Sequence, residues 1–179
     1  HSTLIMDRNF ELNEDFKEIK SLFEKSNKNI FITGKAGTGK SSLIRYIKKN
    51  SKKEIVILAP TAIAALNVDA KTIHSFFNLP FHVITDHDIK KHYNKRLINR
   101  IDAILIDEAS MLRPDIIDAI DLTLQLTKGN KRPFGGIQIV LIGDLYQLPP
   151  VITNDEEDVM NKLYPDGHFF FNSNVINFV

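Results

Sequence analysis

Hydrophobic residues along the chain follow two alternating patterns. In residues 12–25, Phe16, Ile19, Leu22 and Phe23 recur at helical spacing, which predicts a helix with Asn13 as its N-cap. Residues 29–33 (NIFIT) are instead one short apolar run ended by glycine, which reads as a buried strand. The alternation repeats with a helix over 41–49 (Leu43, Ile44 and Ile47 inward) and a strand over 54–59 stopped by Pro60. A short Ala-rich helix is expected over 61–68 and a helical turn over 72–78. Residues 79–100 read as polar and irregular, and 103–106 (AILI) as a third strand. Pro114 suits the first turn of a helix to residue 126, with Ile116, Ile117, Ile120 and Leu124 inward and Gly129 beyond its end. Residues 137–142 (IQIVLI) predict a fourth strand, a loop through Pro149-Pro150 precedes the acidic run 155–158, and Phe169-Phe170-Phe171 closes as a last strand or a packed end. Strands apolar on both faces, alternating with helices, predict an α/β fold with a mostly parallel sheet covered on both sides.

Composition narrows the class. At 179 residues, 43% hydrophobic and 25% charged, the chain is a folded globular domain rather than a disordered, collagenous or coiled-coil one. The absence of cysteine excludes disulfides and thiolate metal sites. No apolar run approaches the roughly 20 residues of a membrane span and no signal peptide opens the chain, so a cytoplasmic protein without a membrane partner is expected. Twenty-three basic residues against 22 acidic ones leave no global field, so a nucleic-acid partner has to be argued from local motifs. His1-Ser2-Thr3 reads as a cloning remnant with Met6 as a native start, and residues 1–11 are set aside as an N-terminal extension or tag remnant.

Three segments carry chemistry. Gly34-Lys35-Ala36-Gly37-Thr38-Gly39-Lys40-Ser41 fits the phosphate loop G-x-x-x-x-G-K-[ST], with a strand before it and a helix after it. Its glycines let backbone amides close around phosphate oxygens, and the helix N-terminus adds partial positive charge. Gly34, Ala36, Gly37, Thr38, Gly39, Lys40, Ser41 and Ser42 are the expected nucleotide contacts. Lys40 reaches the β and γ phosphates, and the Ser41 hydroxyl ligates magnesium. Asp107-Glu108 ends the third strand, where open parallel sheets bind ligands. Asp107 is expected to hold magnesium opposite Ser41, and Glu108 to orient or deprotonate an attacking water. The second acid favours hydrolysis over transfer to a bound acceptor. In Gly143-Asp144-Leu145-Tyr146-Gln147-Leu148-Pro149-Pro150, the Gln147 amide can report the γ-phosphate, and the two prolines stiffen the downstream chain. A plain turn after the strand is the other reading of that segment.

GKAGTGKS, APTAIAALNV with TIHSFF, IDEAS and GDLYQLPPV, in this order, resemble the motifs of superfamily 1B DNA helicases, closest to the Pif1/RecD-like branch. The resemblance spans residues 12–152 at least. It implies a RecA-like P-loop ATPase domain over 12–179, with the sensor strand between the other two motif strands. It further implies ATP and Mg2+ as cofactors and 5′→3′ movement on single-stranded DNA. Pro60, Thr61 and Ala62 resemble one DNA-contacting motif, and Thr72, His74 and Ser75 the next. Thr61 and Thr72 are equally good N-caps, and the alanines also suit tight packing. Lys90, Lys91, Lys95, Arg96 and Arg100, interleaved with His92 and Tyr93, offer phosphate contacts and an aromatic platform, or simply a solvated face. The spacing of His82, His87 and His92 does not suit a helical metal pair. Phe16 stands where the family has an adenine-reading glutamine, which leaves the choice of base open. The family's second RecA-like domain, with its arginine finger, is expected outside this chain, and a monomer is expected. A P-loop kinase or small-molecule ATPase, and a non-catalytic nucleotide- or DNA-binding module, are the competing readings. The few arginines form no lid-like cluster of the kind a kinase needs.

Overall fold

The computed structural model describes residues 4–6, 8–11, 16–34, 39–144 and 150–178. Its strands are β1 (Leu4–Met6), β2 (Arg8–Glu11), β3 (Ile30–Thr33), β4 (Ile55–Ala59), β5 (Lys71–Thr72), β6 (Ala103–Ile106), β7 (Gln138–Gly143) and β8 (Ile176–Phe178). Its α-helices are α1 (Phe16–Lys25), α2 (Lys40–Asn50), α3 (Ala62–Asn67), α4 (Ile73–Phe77), α5 (Lys95–Arg100), α6 (Pro114–Lys128) and α7 (Asn154–Leu163). Six strands form one sheet in the order β2-β3-β7-β6-β4-β5, every neighbouring pair parallel. β1 and β8 form a separate parallel pair.

Period-two alternation sends successive strand residues into two different cores. Ile30, Ile32, Leu105, Val140 and Ile142 meet Ile19 and Phe23 of α1 and Leu43, Ile44 and Ile47 of α2. Phe31, Leu58, Ile104, Ile106, Ile139 and Leu141 face the other side, where Phe76, Ile98, Ile117, Ile120 and Phe170 cover them. Both faces are sealed, as the unbroken apolar runs require. No helix among the described residues is long and apolar enough to cross a membrane.

Helix α6 carries a buried row of acids that ties peripheral segments to this core. Asp115 accepts from the Ile84 amide at 2.9 Å and from Arg113 Nε at 3.0 Å. Asp118 accepts from the Tyr164 hydroxyl at 2.7 Å and from the amides of Asn174 and Val175 at 2.9 and 3.1 Å. Asp121 accepts from the Phe134 amide at 2.7 Å and from the Gln125 side chain at 2.8 Å. Burial pushes the Asp118 and Asp121 carboxyls above their ordinary range, against the pull of these donors.

Several segments differ from the pattern-based expectation. Residues 4–6 and 8–11, set aside from the fold, form strands, and β2 pairs with β3 from Arg8↔Ile30 to Glu11↔Thr33. The 79–100 stretch contains α5, capped by the Asn94 side chain accepting the Leu97 amide, with Ile98 fully buried. The acidic run opens α7, where its carboxylates oppose the helix dipole and only Met160 is buried. Phe169–Phe171 is a packed end, not a strand: Phe170 is fully buried and stacks on Phe31 at 5.9 Å, and the last strand comes later, at β8.

Candidate functional site

The sheet order sets β7 between β3 and β6, so the three chemistry-bearing loops leave adjacent strand ends. Register pairs Thr33 with Gly143 and Ile106 with Leu141, and the Gly34 amide donates to the Gly143 carbonyl at 3.3 Å. Gly39 enters α2 at φ 93°, a left-handed conformation that glycine adopts without a steric penalty. Lys40 then begins the helix with its side chain almost wholly buried, and its Nζ has no hydrogen-bond partner within the described protein. A buried ammonium without a partner is costly, so this position fits an anionic ligand such as a phosphate. Ser41 is partly buried and Ser42 exposed in the same first turn. Ala36, Gly37, Thr38 and Gln147 lie outside the described residues. The tip of the Phe16 ring lies 3.8 Å from where a Cβ on Gly39 would stand, and its centroid is 6.2 Å from that of Tyr46. An aromatic ring, not an amide, therefore borders the end of the phosphate loop.

Asp107 is buried at the end of β6, its amide donating to the Leu58 carbonyl at 2.9 Å. Burial holds its carboxyl above the ordinary range, and the neighbouring Glu108 charge adds to that. The Glu108 amide, donating to Asp107 Oδ1 at 2.9 Å, and the Lys40 charge both pull the other way. Such a carboxylate gains from a cation, which fits a magnesium ligand. Glu108 itself sits at φ 52°, ψ 39°, a left-handed conformation that strains a non-glycine residue. A 3-10 turn over Ala109–Met111 holds it there, the Met111 amide donating to the Glu108 carbonyl at 3.0 Å. That turn also meets the sensor segment, for the Asp144 amide donates to Ser110 Oγ at 3.3 Å. A Cβ on Gly143 would approach the Ser110 nitrogen to 3.0 Å, so any side chain there would have to push the two loops apart by a few tenths of an ångström. This contact was invisible in the motifs, which are read one at a time.

The expected DNA contacts gather at the next strand ends. β5 pairs with β4 through Ala59↔Thr72, so the two segments leave neighbouring strands. Pro60 is half-buried and Ala62 and Ser75 are exposed. Thr61 caps α3, accepting the Ala64 amide at 3.2 Å, and Thr72 caps α4, accepting the Ser75 amide at 3.2 Å. The capping reading holds for both threonines. Each hydroxyl keeps its own proton for donation, so capping does not preclude a phosphate contact. His74 is half-buried and stacks on Phe81, with centroids 4.7 Å apart and planes 10° apart. Burial, then the Arg113 charge, hold its imidazole below the usual histidine range, although Asp115 opposes this.

His92 is not a surface platform. It is buried, with Nε2–H donating to the Phe76 carbonyl at 2.7 Å and Nδ1 accepting the Asn94 amide at 3.0 Å. Of the two interleaved aromatic residues, only Tyr93 is open to solvent.

The parallel sheet, the phosphate-loop motif after β3 and the acid pair two strands away define a RecA-like P-loop domain. Residues 9–164 match the sequence profile of the PIF1-like helicase family. The ATP-dependent DNA helicase PIF1 of Saccharomyces cerevisiae (strain YJM789) is 39% identical over 136 residues, 69% of this chain and 16% of the yeast protein. The ATP-dependent DNA helicase Pif1 of Bdellovibrio bacteriovorus is 36% identical over 143 residues, 75% of this chain and 32% of that protein. Bacteroides Pif1 bound to single-stranded DNA superposes with a TM-score of 0.82 at 40% identity, over 93% of this chain and 41% of that one. Pif1 from Bacteroides in complex with ADP-AlF3 and single-stranded DNA gives 0.83 at 39% identity, over 93% and 41%. The chain belongs to the PIF1-like helicase family and spans less than half the length of these relatives.

Proposed function

We propose that this chain is the first motor domain of an ATP-dependent 5′→3′ DNA helicase, binding Mg-ATP and coupling its hydrolysis to movement along single-stranded DNA. The buried, unpartnered Lys40 Nζ, on the strand-turn-helix of a phosphate loop, carries the reading. In this reading Gly34, Ala36, Gly37, Thr38, Gly39 and Ser42 line the phosphates, and Lys40 neutralises the β and γ oxygens. Ser41 and Asp107 hold magnesium, which supplies charge neutralisation on the phosphate oxygens when bound. Glu108 orients the attacking water and takes its proton, and Gln147 registers the γ-phosphate. Pro60, Thr61, Ala62, Thr72, His74 and Ser75 donate to or pack against the DNA backbone. A second RecA-like domain supplies the arginine that stabilises the transferring phosphoryl group, a contribution of about 10³–10⁵ in rate in well-studied NTPases. The working unit is a monomer.

Steady-state ATP hydrolysis with and without oligo-dT, beside Glu108→Gln, tests this. DNA-stimulated turnover that vanishes in Glu108→Gln, with nucleotide binding retained, is the expected result for the complete motor. An isolated domain that binds Mg-ATP without turnover fits a half-site awaiting its second domain. Failure to bind Mg-ATP sinks the proposal.

A further inference from the structure

Two aromatic rings following α4 are left open to solvent, and each lies flat on a histidine. Phe81 is 81% exposed and stacks on His74 at 4.7 Å and 10°, and Tyr93 is 71% exposed and stacks on His92 at 4.4 Å and 25°. The backing rings are fixed. His92 is held by Phe76 and Asn94, its own amide donates to Thr127 Oγ1 at 2.8 Å, and His74 sits half-buried on α4. Burial lowers the pKa of both imidazoles, which keeps the stacks uncharged at neutral pH. Each exposed ring therefore presents one free face that is already ordered, so a second ring can stack on it at little entropic cost.

A cleft of about 520 Å³ opens beside Tyr93, lined by Phe77, Pro80, Asp88, Lys90, Lys91 and Tyr93 among others. Pro80 directly precedes Phe81. From Asp86 to Arg100 the chain holds five basic residues and two acidic ones, although the whole protein is nearly neutral. Lys90 and Lys91 are both exposed. An exposed ring face with two lysines in the same cleft, and a second exposed ring directly after Pro80 of its lining, match a ligand with alternating bases and phosphates, since stacking tolerates any base and the lysines take the backbone.

We propose that Phe81 and Tyr93 are base-stacking platforms for single-stranded nucleic acid, with Lys90 and Lys91 taking its phosphates, a surface beyond the motif residues. The assignment rests on the reading of this chain as a single-stranded DNA binder. Binding of labelled oligo-dT by fluorescence anisotropy tests it, with Mg-ATP affinity as the folding control. Phe81→Ala and Tyr93→Ala are each expected to weaken binding by about 5- to 100-fold, while Tyr93→Phe, which keeps the ring, stays close to wild type. Lys90→Ala with Lys91→Ala should lower the slope of log Kd against log salt by about 1.4. Wild-type binding that none of these variants changes overturns the proposal and leaves the motor reading standing. A wild-type chain that binds Mg-ATP but no oligo-dT overturns both. Equal weakening by Tyr93→Ala and Tyr93→Phe assigns the effect to the hydroxyl and overturns the stacking.

Discussion

On the proposed function, Lys40 stabilises the nucleotide complex and not the empty protein. Its ammonium is buried without a partner among the described residues, a state that continuum arguments and mutational data both mark as unfavourable. Lys40→Met, similar in length and uncharged, is therefore expected to raise the melting temperature of the nucleotide-free protein. The same variant should abolish the further rise that Mg-ATP produces in the wild type by mass action. Thermal denaturation with and without Mg-ATP reads both effects, and an unchanged ATP-induced shift would remove Lys40 from the site. Glu108 carries a comparable cost at the backbone level, its left-handed conformation being worth on the order of 1–3 kcal/mol of strain. The turn through Met111 and the contact of Ser110 with Asp144 hold it there.

Among the elements, α6 does more than cover the sheet. Asp118 alone holds the Tyr164 hydroxyl and the backbone of Asn174 and Val175, which lead into β8. Asp118→Ala leaves three donors without that acceptor and is expected to cost about 2–4 kcal/mol by urea unfolding. Amide exchange at Asn174 and Val175 should rise more than exchange in β6, because the damage is local. Element type is readable wherever the apolar period is strong. The pattern over residues 103–106 coincides with β6, and those for β3, β4, β7, α2, α4 and α6 fall within one or two residues of the observed ends. The two helices that the pattern does not show share a cause. α5 is six residues long with only Ile98 buried, and α7 buries only Met160, so neither writes a stripe into the sequence. The site divides in the same way. The candidate phosphate and carboxylate residues are picked out by motif spacing, whereas the Ser110–Gly143 approach, the Phe81–His74 stack and the burial of His92 depend on long-range packing that no local window contains.

For the whole molecule, buried His92 and half-buried His74 make stability fall on the acid side. His74 and His92 have folded pKa values below the unfolded value near 6.5, with burial the largest cause in each. Above that value both states are neutral and the full stability is present. As pH falls through it, the unfolded chain takes up protons that the folded chain refuses, and stability is lost. A falling urea midpoint between pH 7.5 and 5.5 is expected, with a shallower fall in His92→Asn. The raised carboxyls of Asp118 and Asp121 act in the opposite sense, so the difference between wild type and variant isolates the histidine. An identical slope in both proteins would assign the dependence to other groups.

The pairing of β1 with β8 also has a consequence in time. Leu4 lies beside Ile176, so this two-stranded sheet joins opposite ends of the sequence. At translation rates of about 5–20 residues per second, roughly 10–30 seconds separate the synthesis of the two strands. During that interval the backbone groups of β1 have no β8 to pair with, while β2 can add to β3 as soon as Thr33 has left the ribosome. Closing so long a loop is also the slowest kind of contact to form. Pairing at β3 thus precedes the closure of β1 onto β8, and of these three strands β1 is made earliest and tied down last.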